Sequence, residues 1–98
     1  MKGAFSIKTD PKAFDDIQNA IDYYNSQQQG LGKRFYSAVK QTFSTIKKNP
    51  GYQIRYDNIR CLQVKKFPYM VHFHVDDQIV SVRAVVNTYL EPEQNWVK

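Results

Sequence analysis

The sequence has little to staple or break it: one cysteine, four glycines and four prolines in 98 residues. The lone thiol, Cys61, excludes an internal disulfide framework and fits a reducing compartment. As a small, weakly polar side chain it reads as a core residue. No apolar run approaches the roughly 18–20 residues that span a bilayer. The opening MKGAFSIKTD also lacks the apolar middle of a secretion signal. A cytoplasmic protein without membrane contact is the expectation. Also missing are a Gly-rich phosphate loop, a nucleophile beside an evident base, and an acid pair at telling spacing. His72 and His74 stand two apart, which on a strand places both rings on one face. With no third ligand near them they read as half-exposed sheet residues, so neither a metal nor a cofactor is expected.

Acidic residues are scarcest in the middle of the chain. Residues 33–66 hold nine Lys or Arg against a single acid, Asp57, whereas the flanking segments are mildly acidic and the whole chain carries +5. Such a distribution points to an anionic partner, nucleic acid or an acidic peptide, or else to a solvated helix face and guarded strand edges. Aromatics are plentiful, with seven Tyr and six Phe. That supply builds one compact core, and residues 1–98 read as one domain because smaller pieces could not hold one.

Periodicity divides the chain in two. Ala4–Lys8 alternates as a short strand, and Asp10-Pro11 then supplies an N-cap followed by a proline at the first helical position. Phe14, Ile17, Ala20 or Ile21 and Tyr24 keep the helical period up to QQQG, where Gly30 can close the helix. Asp15-Asp16 is placed in the first turn, at the positive end of the helix dipole. A second helical set runs through Leu31, Phe35, Val39, Phe43 and Ile46 and stops before Pro50. From Gly51 the period becomes two. Asn58–Val64, Tyr69–Val75 and Gln78–Thr88 read as three strands, the last two joined at Asp76-Asp77. In the middle strand Tyr69, Val71, Phe73 and Val75 face the core. In the last, Val80, Val82, Ala84 and Val86 form one row. The fold class is α+β, in the order β-α-α-β-β-β, with an antiparallel two-helix hairpin on a small, mainly antiparallel sheet.

The candidate binding residues are the cations Lys47, Lys48, Arg55, Arg60, Lys65 and Lys66, interleaved with Tyr52, Tyr56 and Tyr69. Cations neutralise phosphates, and aromatic rings offer stacking faces to unpaired bases. The bland alternative makes the tyrosines core and the cations edge residues that discourage strand pairing.

Taken together, these segments resemble the RelE/ParE superfamily, the plasmid-stabilisation toxins of bacterial type II toxin–antitoxin pairs. The resemblance runs in order through AFDDIQNAIDYYNSQQQGLGKRFYSAV, IKKNPGY, IRCLQVKKFPYMVHFHVDDQIVSVRAVVNT and EPEQNW, and covers nearly the whole chain. It implies a toxin neutralised by a cognate antitoxin. Its target would be translation, through ribosome-dependent mRNA cleavage, or DNA gyrase. The chain departs from the pattern at its end. Asn87 stands where relatives carry His, Tyr89 and Leu90 stand where they carry arginine, and Trp96 arrives one residue late. Cleavage of RNA through its own 2′-hydroxyl needs a proton acceptor, a donor and cationic stabilisation. Arg60, Arg83 and Tyr89 are the remaining catalytic candidates. The expectation is weak or absent endoribonuclease activity, and the alternative is a catalytically inactive interaction domain that binds only an antitoxin or nucleic acid.

Overall fold

The computed structural model describes residues 5–89. Two helices lie between the first strand and a run of four: β1 (Ser6–Thr9), α1 (Pro11–Gln27), α2 (Leu31–Lys48), β2 (Ile54–Tyr56), β3 (Ile59–Gln63), β4 (Tyr69–Asp76) and β5 (Ile79–Asn87). The α+β class and the helical hairpin are as expected, but the sheet has five strands, in the order β1-β5-β4-β3-β2. Neighbours are antiparallel except β1, which runs parallel to β5. The additional strand is β2. It is joined to β3 by Asp57-Asn58, both at positive φ (43° and 65°), as a tight two-residue hairpin turn requires.

Asp10 occupies the N-cap of α1 with Pro11 behind it, yet its carboxylate caps no helix N–H. It lies 3.7 Å from the Arg83 guanidinium instead. Asp15 and Asp16 fall beyond the first turn, which begins at Pro11 and contains no acid. Their placement at the dipole's positive end is therefore corrected. The first helix stops at Gln27. Gly30 does not close it but sits at the N-cap of α2, at φ 87°, where a side chain would be strained. Two residues on, Gly32 marks the close approach of the helices. A Cβ there would meet the Ile21 carbonyl oxygen at 2.6 Å, and its N–H donates to Asn25 Oδ1 at 2.9 Å.

The core lies between the hairpin and one sheet face, with Ala13, Ile17 and Ala20 from α1 and Phe35, Val39 and Ile46 from α2. Beneath them come Val71 and Phe73 of β4 and Val80, Val82 and Val85 of β5. The FPY stretch belongs to this core. Phe67 and Tyr69 pack with Tyr24 and Phe35 at ring-centroid separations of 4.9–6.1 Å, mostly edge to face. Lys65 and Lys66 form the exposed turn between β3 and β4, with Lys66 at φ 71°.

Two facing assignments change. On β5 the pairing skips a residue: His72 faces Ala84, but Phe73 faces Val82, leaving Arg83 as a bulge. The inward row is therefore Val80, Val82 and Val85, and Ala84 and Val86 turn to the far face. On β4, His72 is not half-exposed but 1% accessible, because the central strand is covered on both faces in its first half. His74 remains partly exposed.

Candidate functional site

Strand β1 pairs with β5 only as far as Val82, so among the described residues no strand covers the edge of the second half of β5. Helix α1 lies along it. Asp16 accepts a hydrogen bond from the Val85 N–H at 3.0 Å and pairs with Lys12 at 3.1 Å. Between this edge and the helix opens a cavity of about 830 Å³. Lys12, Asp16 and Tyr23 form its helical wall, Asn87 and Tyr89 its rim, and Tyr56 and His72 its floor.

The floor is a polar pair within an apolar sheet. Tyr56 Oη and His72 Nδ1 are 2.7 Å apart. With the imidazole proton on Nε2, the tyrosine hydroxyl donates and Nδ1 accepts. Burial, together with the Arg55 charge, pushes the His72 imidazole from 6.5 down to about 4, against the weaker opposite pull of Asp16. The Tyr56 phenol is pushed up by burial and by the neighbouring Cys61 and Asp57. Burial pushes the Cys61 thiol up to about 11, with Arg55 acting against it. At neutral pH all three are uncharged. A histidine with this affinity for protons is a poor proton acceptor in neutral solution, and the pair fits a hydrogen-bonded floor rather than an acid–base couple.

The residues singled out in the sequence do not assemble into one surface. Arg60 donates through Nε to the Tyr52 carbonyl oxygen at 2.6 Å, tying down the segment before β2. Arg83 stands on the bulge beside Asp10, and Tyr89 is 81% exposed on the cavity rim. Its backbone N–H donates to Asn87 Oδ1 at 2.8 Å. Arg55 is on the exposed edge strand β2, and Lys47 and Lys48 occupy the last turn of α2, where cations favour the negative dipole end. Lys65 and Lys66 sit in the turn between β3 and β4. With Arg34 they rim a second groove, of about 1000 Å³, between α2 and β3. The tyrosines offered as stacking faces are largely spent on packing, since Tyr69 is 7% exposed and Tyr52 stands edge-on to Phe73. Exposed rings are found elsewhere, at Tyr23, Tyr36 and Tyr89. The segment EPEQNW, Leu90 and Trp96 lie outside the described residues.

Sequence reasoning missed Asp16, Tyr56 and His72 as members of a common cavity. No spacing joins α1 to the edge of β5 that β1 leaves unpaired. Among the described residues, no three His, Cys, Asp or Glu side chains are grouped to hold a metal, and no helix is long and apolar enough to cross a membrane.

The family model described as the ParE toxin of the type II toxin–antitoxin system, parDE, matches residues 7–88. The chain belongs to the ParE toxin family. Among solved structures it is similar to one described as the chromosomal ParDE TA system from P. aeruginosa. The TM-score is 0.77 at 15% identity, over 88% of this chain and 98% of that one. No curated protein matches it by sequence. The ParE match runs from β1 to the turn after β5, and so takes in every element that frames the two concave sites.

Proposed function

We propose that this ParE-family toxin acts by binding its target rather than by cutting RNA, that the target is DNA gyrase, and that a cognate antitoxin silences it. The family match over residues 7–88 carries the reading. The geometry supports the non-nucleolytic half of it. The histidine in the cavity is held near pKa 4 by burial, and Asn87, an amide that does not titrate, stands at the rim. Of the cationic candidates for stabilising a charged transition state, Arg60 is engaged with Tyr52 and Arg83 faces Asp10. Both arginines are thus engaged in contacts within the fold.

The charge distribution supports a protein partner. Helix α2 carries five cations and no acid, whereas α1 carries Lys12 against Asp15, Asp16 and Asp22. A surface this polarised steers an acidic segment quickly to one side of the hairpin. Purified toxin is to be added to gyrase in a supercoiling assay and, in parallel, to ribosomes holding mRNA. Inhibited supercoiling with intact mRNA is the expected result. Efficient mRNA cleavage that is lost in Arg60→Ala or Tyr89→Phe would replace this reading with the ribonuclease one. Inactivity in both assays would favour the interaction-domain alternative. Co-expression with the product of the neighbouring small reading frame tests the antitoxin, and co-purification is expected.

A further inference from the structure

The cavity between α1 and the edge of β5 holds one sheltered charge, and it is negative. The Asp16 side chain is 19% exposed and accepts a hydrogen bond from the Val85 N–H at 3.0 Å. Lys12 reaches the same carboxylate at 3.1 Å, while its own side chain is 69% exposed. Tyr56 and His72 on the floor are uncharged at neutral pH. Aromatic rings share the lining with the carboxylate. Tyr23 on the helical wall is 53% exposed and Tyr89 on the rim 81%, so both present ring surface at the opening. Ala20, Ala84 and Val86 add apolar wall.

We propose that this cavity binds an alkylammonium group, carried by a free polyamine or by a lysine side chain of another protein. The ammonium sits on Asp16, and its alkyl chain runs out past the Tyr23 and Tyr89 rings. A carboxylate among tyrosines attracts an organic cation twice, through the ion pair and through the negative faces of the rings. Lys12 marks the place. It shows that an ammonium reaches Asp16, and a pair so open to water costs little to displace. The volume of about 830 Å³ lies within the range of small-molecule sites and leaves room for the chain behind the ammonium. An anionic ligand fits less well. Among the described residues the lining offers it one cation, Lys12, which Asp16 already engages. An uncharged ligand would cover the Lys12–Asp16 pair at a desolvation cost that it does not offset.

The test titrates the full chain with spermidine and, separately, with a capped peptide containing one lysine, following backbone amide shifts by NMR. Because the chain carries +5, a polycation has no general attraction to it, so a saturable response reports a site. Saturable shifts at Asp16, Tyr23 and Val85 are expected with at least one probe. Tighter binding of spermidine identifies a free polyamine as the ligand, and tighter binding of the peptide a protein's lysine. Asp16→Asn keeps an acceptor for the Val85 N–H but removes the charge, and should weaken binding about tenfold. Tyr89→Leu should weaken it about threefold. Lys12→Ala, which releases the carboxylate, should tighten binding about fivefold, the opposite of what an anion site would show. Lys8→Ala and Asp15→Asn make the same charge changes on exposed residues outside the lining, and should stay within about twofold of wild type. Thermal melts establish that each variant is folded. No saturable shift with either probe, unchanged binding in Asp16→Asn, or binding no tighter in Lys12→Ala would overturn the assignment.

Discussion

Lowering the pH should destabilise this protein through His72 well before most carboxylates are protonated. The imidazole is 1% accessible and its folded value is about 4, against 6.5 when the chain is unfolded. Between those values the unfolded chain binds a proton that the folded one refuses. Stability contributed by the neutral ring is thus fully present above about pH 6.5 and is lost progressively as the pH falls towards 4. At about 1.4 kcal/mol per pH unit, the drop from 6.5 to about 4 makes the full effect about 3 kcal/mol. For a domain of this size that is a large share of the typical 5–15 kcal/mol. Urea unfolding at pH 7.5, 6.5, 5.5 and 4.5 measures it. Because carboxylates in general also respond to acid, the informative quantity is the difference between wild type and His72→Gln, which cannot titrate. That difference should shrink steadily as the pH falls below 6.5. Tyr56→Phe, which removes the 2.7 Å hydrogen bond, should cost about 1 kcal/mol at pH 7.5. A difference between wild type and His72→Gln that stays constant from pH 7.5 to 4.5 would refute the claim that the buried ring is held neutral.

Three further outcomes follow from the packing. Gly32→Ala, favourable in an ordinary helix by about 1 kcal/mol, should here destabilise by about 2 kcal/mol, because the new methyl meets the Ile21 carbonyl at 2.6 Å; denaturant midpoints measure this. Asp16→Ala should cost about 1–3 kcal/mol by orphaning the Val85 N–H, while Asp16→Asn, which keeps an acceptor, should recover most of it. Cys61, buried and pushed up to about 11, should resist thiol reagents at pH 8 until the chain is unfolded, and a fast reaction in native buffer would contradict its placement.

Much of this architecture was legible because two periods dominate the sequence. The helical hairpin, the break at Pro50 and the long strands β4 and β5 follow from apolar spacing alone. The short strand β2 was legible too but passed unread: Asp57-Asn58, both tolerant of positive φ, stands between alternating stretches and marks a tight turn. The bulge at Arg83 left no such mark. Residues 84–86 read Ala-Val-Val, so inward and outward rows were equally apolar and alternation could not reveal a skipped residue. His72 was misplaced for a related reason. Alternation assigns a face but does not say whether that face is covered, and here Tyr56, brought in by the unread strand, lies against it. The cations were correctly seen as a block of charge. Their separation into a helix end, a hairpin turn and an edge strand depends on tertiary placement, which composition does not encode.

The parallel pairing of β1 with β5 has a consequence for how the chain comes into being. Ser6–Thr9 is synthesised well before its partners, Ile79–Val82, with both helices and three strands between them. The hairpins β2–β3, β3–β4 and β4–β5 can each form from local sequence, but β1 finds its neighbour only after everything between them has been made. Helix α1 can pack on α2 as soon as that helix is made, and its contacts with β5 follow. The cavity beside β5 is therefore among the last features of the fold to be completed.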